Sequence, residues 1–101
     1  MDEQQRVAAF AERQGIESDP EYHILDLAAE VGEIAADATK STGWGAKPDD
    51  LDVADDEIGD ALFSLLLVAE SLDVDAGAAL TEAIEKYERR IEETGSASSG
   101  G

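Results

Sequence analysis

The chain has 101 residues, 25 of them acidic and 7 basic, for a formal net charge of −18. That length accommodates one domain with one core, contains no apolar run long enough to span a bilayer, and begins without the basic, then apolar, pattern of a secretory leader. Without cysteine, neither disulfides nor thiolate metal sites can form, and a charge of this size repels nucleic acid and anionic membranes, so a soluble, cytoplasmic protein with neither as partner is expected.

Four helical segments follow in chain order. The first spans about Asp2 to Gln14, with Asp2 as its cap, a short stripe of Val7, Phe10 and Ala11, and Gly15 as its stop. The second spans about Pro20 to Lys40, capped by Asp19, with proline at the first helical position. Its apolar residues Ile24, Leu27, Val31, Ile34 and Ala35 recur at helical spacing. The stretch "STGWGAKP", 41 to 48, carries turn chemistry throughout. A third helix is expected from about Asp50 to Leu72, and "DVD" with Asp75 as cap leads into a fourth from about Ala76 to Thr94. The stripe of the fourth helix is Ala79, Leu80, Ala83, Ile84, Tyr87 and Ile91. Residues 95–101, "GSASSGG", are too small and polar to pack and predict a flexible tail after a single domain over 1–94.

No alternating β pattern survives, so the fold class is all-α, with the third and fourth helices predicted as an antiparallel hairpin. Leu62, Phe63, Leu65, Leu66 and Leu67 wrap the whole circumference of the third helix. A helix apolar all round is buried all round. Phe63, Leu66 and Leu67 exceed what one small chain can cover, which predicts a helical bundle completed by homo-oligomerisation, a dimer first and a tetramer next.

The acidic excess has two readings, an imitation of DNA or an adaptation to a salt-rich cytoplasm where screening removes self-repulsion. The acids are spread evenly and lysine is scarce, which favours the second; the composition resembles that of proteins from halophilic archaea. In such a chain acidic pairs at i, i+3 are common: seven occur, against about six expected from residue frequency. Each pair is therefore weighed by its neighbours. Glu57 and Asp60 share a helix face with Ala61, Ser64, Leu67 and Val68, where carboxylates are costly unless something offsets their desolvation. Asp26, Glu30, Glu33 and Asp37 make an acidic stripe beside Leu27 and Ile34. Taken together, the two sets predict four carboxylates, Glu30, Glu33, Glu57 and Asp60, between facing helices. A cation is the natural neutraliser, and oxygen-only donors select Mg²⁺ or Mn²⁺ before Ca²⁺. Mg²⁺ usually keeps waters and substrate phosphates as ligands, so a phosphate-bearing substrate follows, with Lys40 and the Lys86, Arg89, Arg90 cluster available to hold its far end. For that cluster, compensation of the helix dipole is an equal reading.

"EVGEI", Glu30 to Ile34, and "DEIGDAL", Asp56 to Leu62, with 23 residues between Glu33 and Glu57, resemble the paired Glu-x-x-Glu and Glu-x-x-Asp motifs of MazG-type nucleoside triphosphate pyrophosphohydrolases. The resemblance runs from about Leu25 to Arg90 and includes Gly32, Gly59 and the closing "KYERR". It implies an all-α fold, helices of two subunits packed into a bundle, and Glu30, Glu33, Glu57 and Asp60 as ligands of Mg²⁺. The implied reaction is hydrolysis of an NTP or dNTP to the monophosphate and pyrophosphate. Glu33 is the candidate base, Lys86, Arg89, Arg90 and Lys40 the candidate phosphate clamp, and Trp44 the candidate base-stacking residue. Trp44 also suits a packing role in the loop or at a subunit interface. The family often has a third acid just before its first motif, where this chain has Ala29, and an Asn after the closing Lys, where it has Tyr87. A catalytically inactive helical oligomer serving as a scaffold or binding module is the alternative. The two motif glycines, each costing about 0.8–1 kcal/mol in a helix interior, suggest a close approach of helix backbones. His23 is read as a surface or core-edge residue without a role.

Overall fold

The computed structural model describes residues 2–16 and 19–95. Four α-helices and no strand occur among them: α1 (Asp2–Gln14), α2 (Pro20–Ser41), α3 (Asp55–Ser71) and α4 (Ala76–Thr94), with one 3₁₀ turn at Pro48–Asp50. No helix is long and apolar enough to cross a membrane among these residues. The tail expected at 95–101 lies outside the described residues except for Gly95, the left-handed cap of α4.

The helix stops have a common chemistry. After α1, α2 and α3 the chain turns through a left-handed residue, Gly15, Gly43 and Asp73 respectively. The following residue's N–H then reaches back five positions, Ile16 to Ala11, Trp44 to Thr39 and Val74 to Ala69. This pairing satisfies carbonyls that a helix end otherwise leaves orphaned. At the α4 start the Asp75 side chain accepts from the Ala78 N–H at 3.0 Å, as expected of a cap. Asp19 occupies the cap position of α2 but makes no side-chain cap bond, and Asp2 is the first helical residue of α1.

The third helix starts at Asp55, five residues later than expected. Pro48 opens the 3₁₀ turn instead. The N–H groups of Asp52 and Ala54 are bonded by α2 side chains, Ser41 Oγ at 2.9 Å and Asp37 Oδ2 at 3.4 Å. Those bonds tie the segment to the end of α2 up to the residue before α3 begins.

α3 is the central helix: α2 packs on one side of it and α1 on another. Leu66 (2 % exposed) and Leu67 are buried in this way, and Phe63 is half-buried. The three together were expected to exceed what one chain can cover; α1 and α2 cover Leu66 and Leu67, while Phe63 stays half-exposed. The side left bare carries Ile58, Leu62 and Leu65, the last two 45 % and 48 % exposed. The predicted α3–α4 hairpin does not form. α4 packs along neither α2 nor α3 and buries none of its residues.

Gln4 fixes where α4 departs. Its side chain is 6 % exposed. Its Nε2 donates to Glu70 Oε1 (2.9 Å) and to the Val74 carbonyl (2.7 Å), and its Oε1 accepts from the Ala76 N–H (2.7 Å). One side chain of α1 thereby ties the end of α3 to the start of α4. Gln4→Met, which keeps the volume and removes all three bonds, is expected to lower stability by about 1–3 kcal/mol, measured by chemical denaturation in molar salt.

Candidate functional site

The two acidic sets meet along the α2–α3 seam. On α2, Asp26, Glu30, Glu33 and Asp37 recur every three or four residues and so share one face. On α3, Glu57 and Asp60 do the same in the first two turns. The helices run antiparallel, so that Glu30 feels Glu33 and Asp60, while Glu57 feels Asp37 and Glu33. All four sequence-predicted acids thus act on one another across this seam. Glu30 and Glu57 lie partly buried; Glu33 and Asp60 are exposed at its edge.

The charged groups that act most strongly on these two glutamates are all carboxylates. Burial, then repulsion by Glu33 and Asp60, raises the Glu30 pKa above its ordinary value. Glu57 rises to about 7, through a hydrogen bond to the Asp37 side chain first, then burial, then the charges of Asp37, Glu33 and Asp56. A hydrogen bond between two carboxyl groups requires a proton on one of them.

Asp37 is the residue that the sequence reading left outside the ligand set. It appeared there in the acidic stripe, and its phase, four residues after Glu33, was the available signal. It does several things at once: it bonds Glu57, and its Oδ2 accepts from Ala54 at the otherwise uncapped start of α3. Its carbonyl accepts from Ser41 Oγ at 2.6 Å, the hydroxyl that in turn accepts from Asp52.

Glu30 Oε2 and Glu57 Oε2 are buried and have no hydrogen-bond partner. Buried carboxylate oxygens without donors are expensive. A hard cation fits them by kind, since every donor is oxygen and positive charge beside them would favour their ionised forms. Among the described residues no three acidic or imidazole side chains sit together as a ready-made cage, so the donors match a cation and their present arrangement is not a closed one.

The other predicted residues lie elsewhere. Lys40 is exposed in the last turn of α2. Lys86 and Arg90 flank the Tyr87 ring on α4, 4.9 and 5.8 Å from its centroid, and Arg89 is exposed beside them. None of these cations pairs with the seam carboxylates. Trp44 is 88 % exposed at the middle of three successive left-handed residues, Gly43, Trp44 and Gly45. Such a backbone is unusual for a bulky side chain. Thr42 maintains it, donating to the Ala38 carbonyl (2.6 Å) while accepting from the Gly45 N–H (3.1 Å). The close helix approach expected at Gly32 and Gly59 is absent within the chain, where a Cβ at either position would meet nothing within 4 Å. His23, read as a surface or core-edge residue, is buried at 6 % exposure, where it lines a pocket between α1, α2 and α3.

An all-α chain with two antiparallel acidic helices facing each other defines a class of helical, carboxylate-centred proteins. The model of the MazG nucleotide pyrophosphohydrolase domain matches residues 18–94, and the chain belongs to that family. Comparison with curated proteins and with solved structures gave no match. The family acts on nucleotides as a hydrolase, and α1 lies outside the matched span.

The seam generates a pH dependence. Glu57 has its pKa raised from 4.5 to about 7 in the fold, so between those values the native state holds a proton that the unfolded chain has lost. The stability this contributes is fully present below the unfolded value and is lost as pH rises through the folded one. Without divalent ions, thermal melts from about pH 5 to about pH 8 should show the melting temperature falling. Glu57→Gln should flatten that fall.

Proposed function

We propose that the chain is a divalent-metal-dependent nucleoside triphosphate pyrophosphohydrolase. It would convert an NTP or dNTP to the monophosphate and pyrophosphate, working as a homo-oligomer, dimer or tetramer, in a salt-rich cytoplasm. The observation that carries this reading is the pair of buried, partnerless oxygens on Glu30 and Glu57 within a seam of carboxylates, in a chain that belongs to a nucleotide pyrophosphohydrolase family.

Glu30, Glu33, Glu57 and Asp60 would hold Mg²⁺, or Mn²⁺ in its place, with Asp37 fixing Glu57 from behind. The ion would supply charge neutralisation for the triphosphate and a more acidic bound water. Glu33, exposed at the edge of the seam, takes the proton of the attacking water as its oxygen bonds to the α-phosphorus. The bond from that phosphorus to the bridging oxygen breaks, and pyrophosphate leaves. Lys86, Arg89 and Arg90, with Lys40, donate hydrogen bonds to the outer phosphates, and Trp44 offers an aromatic face to the base.

Incubation with Mg²⁺ and a panel of triphosphates should release pyrophosphate rather than orthophosphate. Glu33→Gln should lower kcat by about 10²- to 10⁴-fold, the usual range for a general base, and Asp60→Asn should abolish turnover at the same protein concentration. An oligomer that releases nothing from any nucleotide would leave the scaffold reading in its place.

Salt and metal effects should also separate. Molar KCl shortens the Debye length to about 3 Å and is expected to raise the melting temperature of both the wild type and Glu57→Gln. Millimolar Mg²⁺ added to that salt should raise only the wild type. An equal response of the two proteins would mean diffuse binding to the acidic surface.

A further inference from the structure

The end of α1, the start of α2 and the end of α3 meet around an open pocket of about 370 Å³. Ala11, Ile16 and Leu67 give it apolar walls, and Glu12, His23 and Glu70, one from each helix, give it polar ones. It shares no residue with the carboxylate seam, and no lysine or arginine lines it among the described residues. Gln4 Nε2 donates to Glu70 Oε1 at 2.9 Å, so that carboxylate is held from the α1 side.

His23 is the polar group of this pocket that the fold leaves without a role. It is the one histidine of the chain and is 6 % exposed, yet among the described residues neither ring nitrogen has a hydrogen-bond partner. Unlike Glu30 Oε2 and Glu57 Oε2, these nitrogens are not sealed off; the access they keep is through the pocket that the ring lines. A neutral imidazole carries one donor and one acceptor, and burying them unpaired is costly.

The groups facing the pocket define the ligand that suits it. Two carboxylates with no cation among the lining residues call for positive charge. A bare ion is a poor match, because Glu12, His23 and Glu70 do not come together as a three-donor metal group, and the apolar walls offer an ion nothing. Acceptors spread around one pocket match positive groups that are themselves spread apart, joined by carbons that cover the apolar walls.

We propose that this pocket binds a short aliphatic diamine as its dication. One ammonium pairs with Glu12 and the other with Glu70, the His23 imidazole accepts an N–H from one of them, and the carbon chain lies along Ala11, Ile16 and Leu67. The ligand ties α1, which the family match does not include, to α2 and α3. Because the pocket and the seam have no residue in common, the site does not depend on the nucleotide chemistry.

The test uses full-length protein in molar KCl, where a Debye length of about 3 Å suppresses diffuse attraction to the acidic surface. As the one histidine, His23 gives an assigned ring resonance in proton NMR. Titration with diaminobutane at constant pH should shift that resonance saturably. Butylamine, which has one ammonium, should need about two- to fivefold more to do the same. In calorimetry Glu12→Gln and Glu70→Gln should each weaken diaminobutane about two- to fivefold and His23→Leu about two- to tenfold, while Asp60→Asn, in the seam, should not. A His23 resonance that diaminobutane leaves in place overturns the site, whether or not the buried-residue variant folds. Butylamine acting as well as the diamine overturns the two-ended ligand. Binding lost in Asp60→Asn but kept in Glu12→Gln and Glu70→Gln places the diamine in the seam and overturns the proposal. A shift given by Zn²⁺ and by no amine makes the pocket a metal site and overturns it as well.

Discussion

Two carboxyl groups share a hydrogen bond only while one keeps its proton, and Glu57 and Asp37 share one across the α2–α3 seam. The seam therefore exists in two electrostatic states. With a proton on one of the two, Glu57 and Asp37 keep their hydrogen bond and their burial costs less. Ionised, the seam presents a set of mutually repelling oxygens, two of them buried without a partner, and then needs external positive charge. The packing of α2 on α3 forces this choice, because the acidic residues occur in phase with the contact face of each helix and cannot turn outward without taking the apolar residues with them.

The seam has a frame that keeps it aligned. The end of α2 and the start of α3 are cross-linked by Asp37 to Ala54 and by Ser41 to Asp52, so the intervening loop is tied down at its base while its tip projects. Thr42 then locks the turn that carries Trp44 outward. The tryptophan side chain is 88 % exposed in a left-handed conformation, so packing within its own chain does not account for it. The frame thus links the register of the carboxylates to the path of the loop that carries Trp44.

Much of this was legible in the residues. α1 and α4 have the bounds expected from their periodicity and caps, and α2 extends one residue further. The family resemblance rested on Glu30, Glu33, Glu57 and Asp60 with their glycines, and the family match covers that whole span. What sequence missed was set by contacts between elements. Asp37 looked like one more solvated acid, because its role depends on where the 41–54 segment returns, and that path is set by side chains bonding to backbone N–H groups. The late start of α3 has the same origin. Leu66 and Leu67 were assigned to a partner because periodicity counts apolar faces without saying which neighbour fills each one. The missing hairpin turned on Gln4, a polar residue in a helix whose apolar stripe gave no sign of it.

α3 makes the point about completeness most directly. One side of it faces α2, where Glu57, Ala61 and Ser64 lie; a second faces α1, where Phe63 and Leu66 lie; Ile58, Leu62 and Leu65 are left on the third. The chain has a helix of the right length and apolar stripe to cover that side, yet sends it elsewhere, with Leu80, Ile84, Tyr87 and Ile91 open to solvent. Exposed apolar side chains on two separate elements are a larger cost than either alone, and a surface this acidic does not remove it. Covering both surfaces is what the proposed homo-oligomer would supply.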